Sequence, residues 1–317
     1  MKRANWLATA WDSGGMVLLF LALFAYASFG VGNFFTPTNL VYALGLSVTT
    51  TGIVACGMLF CLAAGDFDLS VGSVAAFAGM LVAVLLDAMG GSLWAVPLCL
   101  AACACVGLFN GLIIAVFGIN ALITTLATMQ IVRGLAYLLK DGNSLGISSE
   151  AFAGLGTGDF LGLPIPLWVL LGCLAVFGFT LHMTVFGRNA LAIGGNREAA
   201  RLAGVPTART QMLIFTLQAT LAGLAGVVSA AQQQLGDPKG MVGLELRVIS
   251  ACVLGGVSLT GGIGSIHHVI VGVLIMGTVQ NIMDLKSVPT FYQYLVSGAI
   301  LLAAVLLDRL KRRGVRA

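Results

Sequence analysis

A polytopic all-α membrane protein, a helical bundle of about ten transmembrane segments, is the fold class predicted for this 317-residue chain. Three observations predict it. Hydrophobic residues make up 59% of the chain and charged residues 9%, with a mean hydropathy of +1.02. A soluble domain carries about 25% charged residues, so this chain has too little polar surface to cover itself in water. The apolar runs are continuous over about 20 residues, the length a helix needs to cross a bilayer. They do not alternate polar and apolar residues, which excludes the strands of a membrane barrel. Lipid offers the backbone no hydrogen bonds, so each crossing has to satisfy its own.

The runs place spans at roughly 14–32, 40–64, 69–89, 93–117, 120–139, 165–186, 211–231, 247–261, 265–284 and 290–307. The first follows Lys2 and Arg3 and shows no cleavage site before Asn33, so it reads as an uncleaved anchor. The second and third are separated only by Gly65-Asp66-Phe67-Asp68, and the eighth is short and glycine-rich around Gly255-Gly256. Either place admits a half-helix or a re-entrant segment as well as a full crossing. One domain, residues 1–317, is expected, with two sizeable loops at 140–164 and 187–210.

Lysine and arginine set the orientation. Ten crossings put both termini on one side, and eleven Lys and Arg fall there. Only Lys140, Lys239, Arg247 and Lys286 fall on the other, and Arg133 lies within a span. Both termini are therefore expected in the cytoplasm of a bacterial inner (plasma) membrane, with lipid as the surrounding partner. The formal net charge of +4 follows from this topology, and no nucleic-acid partner is expected. The seven cysteines lie within apolar runs without zinc-ligand spacing, and His267 and His268 have no third ligand at helical spacing. No metal and no cofactor are expected.

A faint internal repeat links Ile53–Gly65 to Ile249–Gly261 at an offset of 196, matching Ile, Ala, Cys and Gly. Transporters are often built from such repeats, and chance similarity between apolar segments is the rival reading.

The 187–210 loop is the most informative segment. Asn196 can cap a helix running from Arg197 to Ala203, which Gly204 and Pro206 would end. Glu198 complements the helix dipole in the first turn, and Ala199 and Ala200 leave a smooth surface. Spacing alone leaves a solvated linker equally open.

Glu198-Ala199-Ala200 followed by Gly204 resembles the Glu-Ala-Ala…Gly loop of bacterial ABC import permeases. The stretches 55–73, 120–137, 187–205 and 248–265 are similar to the ribose/arabinose/xylose branch of that family, and most closely to its arabinose members. The tail before Trp11 and the loop after Asp141 match least. The resemblance implies a transport subunit, not an enzyme, for ATP-driven import of a monosaccharide, L-arabinose foremost, by alternating access. It implies three partners: an ABC ATPase subunit, a periplasmic sugar-binding protein and a second permease copy in a homodimer. It makes Arg197, Glu198, Ala199, Ala200 and Gly204 the ATPase-coupling residues. The chain contains no Gly-x-x-x-x-Gly-Lys-Ser/Thr phosphate loop, in keeping with an ATPase on another chain. The alternative is a secondary transporter or channel working alone, which should use buried carboxylates.

Few polar residues are available to line a path: Asp66, Asp68, Asn110, Arg133 and Gln233. Intramembrane acids suggest function, whereas at an interface Asp66 and Asp68 are merely hydrated, with Asp68 or Ser70 capping the next helix. Arg133 lies about 13 residues into its span, near 20 Å of rise, and either pairs with an acid or with carbonyls, or lines the sugar path. Asn110, within Gly107-Leu108-Phe109-Asn110-Gly111, fits an interhelical hydrogen bond on a small-residue face. Gln232, Gln233 and Gln234 either meet sugar hydroxyls or sit at the outer interface.

Overall fold

In the computed structural model, which describes residues 4–316, thirteen α-helices carry the chain. Seven apolar helices are long enough to cross a membrane: Thr38–Ala63 (a π-helical start, Thr38–Leu44, continuing as α2, Gly45–Ala63), α3 (Val71–Ala88), α4 (Ala95–Val116), α5 (Ala121–Leu138), α7 (Ile165–Met183), α10 (Thr207–Gln233) and α12 (Ile266–Leu285). Helices α1 (Ala4–Gly30) and α13 (Thr290–Arg316) contribute shorter apolar stretches, Gly14–Gly30 and Thr290–Leu306.

Nine of the ten expected spans therefore have a helix of matching position. The eighth does not. Residues 247–261 form only the end of α11 (Leu244–Gly255), 12 residues long, about 18 Å of rise. Gly256, at φ 111°, stops it, and Val257 N–H reaches back to the Cys252 carbonyl (2.9 Å). A non-helical stretch, 256–264, follows. The physical reason is that glycines break the helix without lowering hydropathy.

The chain between α2 and α3 is a second break, 64–70. Gly65 (φ 79°) ends α2, and Asp66 N–H bonds the Cys61 carbonyl at 2.9 Å. Both breaks thus begin at a helix C-terminus closed by a left-handed glycine, where a side chain would be strained.

Helices α2, α10 and α11 form the centre. In α2 every residue from Gly52 to Ala63 is buried. Helix α10 packs on α4 where Gly107 and Gly111 face the backbone of Phe215–Thr216 and Met212; a Cβ on Gly107 would lie 2.3 Å from the Phe215 carbonyl oxygen. Helices α1, α4, α5, α7 and α13 carry most of the exposed large apolar side chains, such as Phe29, Phe109, Ile123, Phe179 and Leu295. The seven cysteines are free and all but Cys105 are buried, as packing residues would be.

At the end of the bundle where α10 finishes, the 140–164 loop folds into α6 (Glu150–Thr157), capped by Ser149, and a small hairpin of β2 (Asp159–Phe160) and β3 (Leu163–Pro164). Its β1 (Leu145–Gly146) pairs antiparallel with β4 (Leu235–Gly236). At the other end lie α8 (Val185–Gly195) and α9 (Arg197–Leu202). The sequence reading continued the sixth span to 186. Thr184 turns the chain there, and its hydroxyl caps α8 by accepting from Gly187 N–H.

Candidate functional site

Helix α9 forms for local reasons. The Asn196 side chain accepts from Ala199 N–H at 3.0 Å, Gly204 takes φ 84°, and Val205 N–H closes the end on the Ala200 carbonyl. Arg201 grips Glu198 through two hydrogen bonds, Nε to Oε2 at 3.1 Å and Nη2 to Oε1 at 2.7 Å. The Arg201 hydrogen bond and charge hold the Glu198 carboxyl below its usual range. Glu198, Ala199, Arg201 and Leu202 are exposed, Leu202 by 77%. Ala200 is buried against the body of the protein, so the smooth outer surface is that of Ala199 alone, with Leu202 as its apolar neighbour.

Asp66 lies against α9. Its Oδ2 accepts from Arg197 Nη2 at 3.2 Å and from Gln211 Nε2, at the start of α10, at 2.6 Å. The Asp66 side chain is only 13% exposed. Burial raises its pKa above the ordinary carboxylate value, and Gln211 and Arg197 oppose that rise. An ion pair that only partly offsets desolvation adds little stability, so this one reads as a positional tie.

Beside it the two breaks meet α8. Gly262 N–H donates to the Ala63 carbonyl at 2.9 Å, and Gly194 lies on that hydrogen bond. A Cβ on Gly194 would be 1.9 Å from the Ala63 oxygen, and one on Gly261 would be 2.7 Å from Gly194 Cα. A Cβ on Gly65 would lie 3.9 Å from the Cα of both Gly194 and Gly261, an ordinary contact. Three elements thus converge on backbone alone: the end of α2, the 256–264 break and α8.

Asp68 is fully buried, not hydrated, and caps no helix. Its Oδ1 accepts from the Ser70 N–H (2.9 Å) and hydroxyl (2.6 Å), which fixes the turn into α3. Asn110 joins Ser70 across helices through Nδ2 (3.3 Å) and accepts from the Thr128 hydroxyl (2.6 Å), tying α3, α4 and α5 together. Arg133 donates through Nη1 to the carbonyls of Pro238 and Gly240, both at 2.8 Å. It holds the 237–243 segment with backbone acceptors, one of the partner types expected for it.

Gln233 bonds Ser229 at 2.7 Å and lines one of two adjoining cavities near the α6 end, of about 370 and 380 Å³. Arg247, Ser229, Met241 and Val242 line both. The named polar residues therefore do not form one site. Asp66 joins α9, Asp68 and Asn110 make an interior lock, Arg133 braces a loop, and Gln233 faces a cavity. Sequence reading missed Gly194 and Gln211 at the junction, and Gln218, Arg247 and Gln280 elsewhere. Their signal was a polar side chain, or a paired glycine, inside or beside an apolar span. Among the described residues no His, Cys, Asp and Glu cluster forms a metal site.

Residues 39–305 match the family model described as branched-chain amino acid transport system / permease component. The chain is 53% identical to the L-arabinose transport system permease protein AraH of Escherichia coli (strain K12), over 96% of this chain and 93% of that one. It is 52% identical to the L-arabinose ABC transporter permease protein AraH of Azospirillum brasilense, over 96% and 90%. With the ribose import permease protein RbsC of Bacillus subtilis it shares 38% identity over 88% and 87%. No solved structure shows a significant match. The seven apolar spans and these matches place the chain among multi-pass membrane transport permeases; it belongs to the branched-chain amino acid transport system / permease component family.

Proposed function

We propose that the chain is the membrane-spanning subunit of an ATP-driven importer of L-arabinose. The observation that carries this reading is the 53% identity to an L-arabinose permease along 96% of the chain. The α9 end supports it. A capped, exposed helix with Glu198 and Arg201 mutually fixed and Leu202 bare is suited to docking in a cleft of another protein. That partner is an ABC ATPase on a separate chain, and the α9 end is the cytoplasmic face, with both termini on it. A periplasmic sugar-binding protein docks on the opposite face, and two permease copies pair within the inner membrane.

Motion then has a route. ATP closes the ATPase pair and displaces α8 and α9, and the Gly194 junction and the Asp66–Arg197 tie hand that displacement to both breaks. The breaks are the natural yielding points, because residues 64–70 and 256–264 have no continuous helical ladder to stretch.

Reconstitution tests the reading. Proteoliposomes holding the chain with its ATPase, loaded binding protein and ATP should accumulate labelled L-arabinose, and omitting any one should abolish uptake. Uptake by the chain alone, driven by an ion gradient, would overturn it in favour of a secondary transporter.

A further inference from the structure

Helix α5 (Ala121–Leu138) is packed on one side only. Thr124, Thr125, Thr128, Val132 and Ala136 are buried, on the side that meets α3 and α4. Ile123, Ala127, Gln130, Gly134 and Tyr137 are exposed on the other.

Gln130 sits at the centre of that outer face. Thr128 and Val132, two residues to either side, lie about 200° around the helix from it, so the amide points away from the bundle. It makes no hydrogen bond with any described residue. It is also deep. Nine residues separate it from Ala121 and eight from Leu138, about 13 and 12 Å of rise. It therefore stands near the middle of a hydrocarbon core of ~30 Å. An amide facing lipid there forgoes the hydrogen bonds it would make in water, and polar side chains at this depth bond across helices.

The residues around it have the spacing of a helix-pairing seam. Ile123, Ala127, Gln130, Gly134 and Tyr137 follow one another at intervals of 4, 3, 4 and 3, the repeat that keeps one face against a second helix. Ala127 and Gly134, one heptad apart, flank the glutamine with small residues, and a Cβ added to Gly134 would meet nothing within 4 Å. Small residues let two backbones approach closely. The face thus combines a seam, room for close approach and one amide in need of a partner.

That partner has to lie within the membrane. In the assembly proposed above, the ATPase and the binding protein stay outside the bilayer, and only the second permease copy reaches this depth. Two copies inserted in the same direction are related by a two-fold axis along the membrane normal, where a residue meets its own equivalent. Glutamine suits that meeting, because its amide both donates and accepts. The chain already contains one such reciprocal pair: Asn39 and Asn281 exchange two hydrogen bonds of 2.9 Å between buried amides.

We propose that the outer face of α5 is the surface that meets the second copy, with α5 against its equivalent across the two-fold axis and the two Gln130 amides paired at mid-membrane. The inference rests on the reading of the chain as one of two copies in an importer and adds which face joins them.

The test uses the full complex in proteoliposomes, in a Cys105→Ser background that removes the one exposed native thiol among the described residues. Single cysteines replace Ala127, Gln130 or Leu135, the last exposed but about 140° around the helix from Gln130. Under a copper–phenanthroline oxidant, Ala127→Cys and Gln130→Cys should give a disulfide-linked permease dimer, about fivefold or more above Leu135→Cys. The second measurement places no cysteine on the seam. Copies carrying two different tags are reconstituted separately and the vesicles fused. Partner exchange should be about tenfold faster for Gln130→Leu than for the parent, whereas a leucine facing only lipid would leave exchange unchanged. A two-copy complex whose Ala127→Cys and Gln130→Cys variants link no better than Leu135→Cys, or whose exchange is unaffected by Gln130→Leu, overturns the proposal and leaves the importer reading standing. A parent complex whose mass holds a single permease copy defeats that reading, and the proposal with it.

Discussion

The two breaks at 64–70 and 256–264 arrive at one junction, but they are made of different chemistry. Each begins at a left-handed glycine that closes a helix, Gly65 for α2 and Gly256 for α11. The first then carries two carboxylates. Asp66 turns outward to Arg197 and Gln211, and Asp68 inward to Ser70. The second carries none. It is held by its own hydroxyls and backbone: the Ser258 side chain bonds the Gly261 carbonyl at 3.1 Å and Ser258 N–H bonds the Ile263 carbonyl. The shared part is geometric: a left-handed glycine closes each helix before the chain turns toward α8. The unshared part is electrostatic, and only the first break is tied to α9 by charge. On the proposed coupling, the first break is therefore the one on which α9 can act by charge.

The largest effect should come from the geometric half. Gly194→Val places its Cβ within the Ala63–Gly262 hydrogen bond, and overpacking against backbone costs about 1–3 kcal/mol or more. We expect loss of folded protein from the membrane fraction and a lowered Tm. Its neighbour Gly195 has nothing within 4 Å of an added Cβ, so Gly195→Ala should behave as the parent. Equal behaviour of the two variants would break the comparison.

Next comes α9, the helix proposed to dock the ATPase. Glu198→Lys replaces the Arg201 clasp with repulsion on an exposed surface. ATPase co-purification should fall about tenfold, the equivalent of ~1.4 kcal/mol, with the permease itself intact. A bulky residue at Gly204, held at φ 84°, should weaken docking in the same way. Normal co-purification of the ATPase with both variants would remove α9 from the interface.

Arg133→Ala sharpens the comparison from outside the junction. It removes two charge-assisted bonds to Pro238 and Gly240, worth about 1.5–3 kcal/mol together if one group is left unsatisfied. Assembly and Tm should fall while the ranking of competing pentoses in an uptake assay stays the same. An intact complex with altered sugar preference would instead put Arg133 on the route.

Much of this organisation could be read from local sequence. Asn196 and Gly204 bound α9 because caps are decided by a few adjacent residues. The long spans follow from hydropathy alone. The eighth did not, because Gly255 and Gly256 break a helix while remaining apolar. Asp66 could not be matched to Arg197, 131 residues away, because pairing of that kind is tertiary. Asn110's role as an interhelical tie was legible, since a lone amide between close-packing glycines has few other options, but Ser70 and Thr128 as its partners were not.

The smallest structural change tests the central claim most directly. Asp66→Asn preserves the shape and an acceptor for Gln211 but removes the charge that holds Arg197. Asparagine carries no desolvated charge at this buried position, and the half-exposed Arg197 is left to water, so the complex should assemble with nearly parental Tm. The measurement is sugar molecules imported per ATP hydrolysed in reconstituted complex, for the parent, for Asp66→Asn and for the exchange Asp66→Arg with Arg197→Asp. The account predicts a lower ratio for Asp66→Asn and a partial return in the exchange. An unchanged ratio in Asp66→Asn would contradict the claim that α9 acts on the first break through this tie.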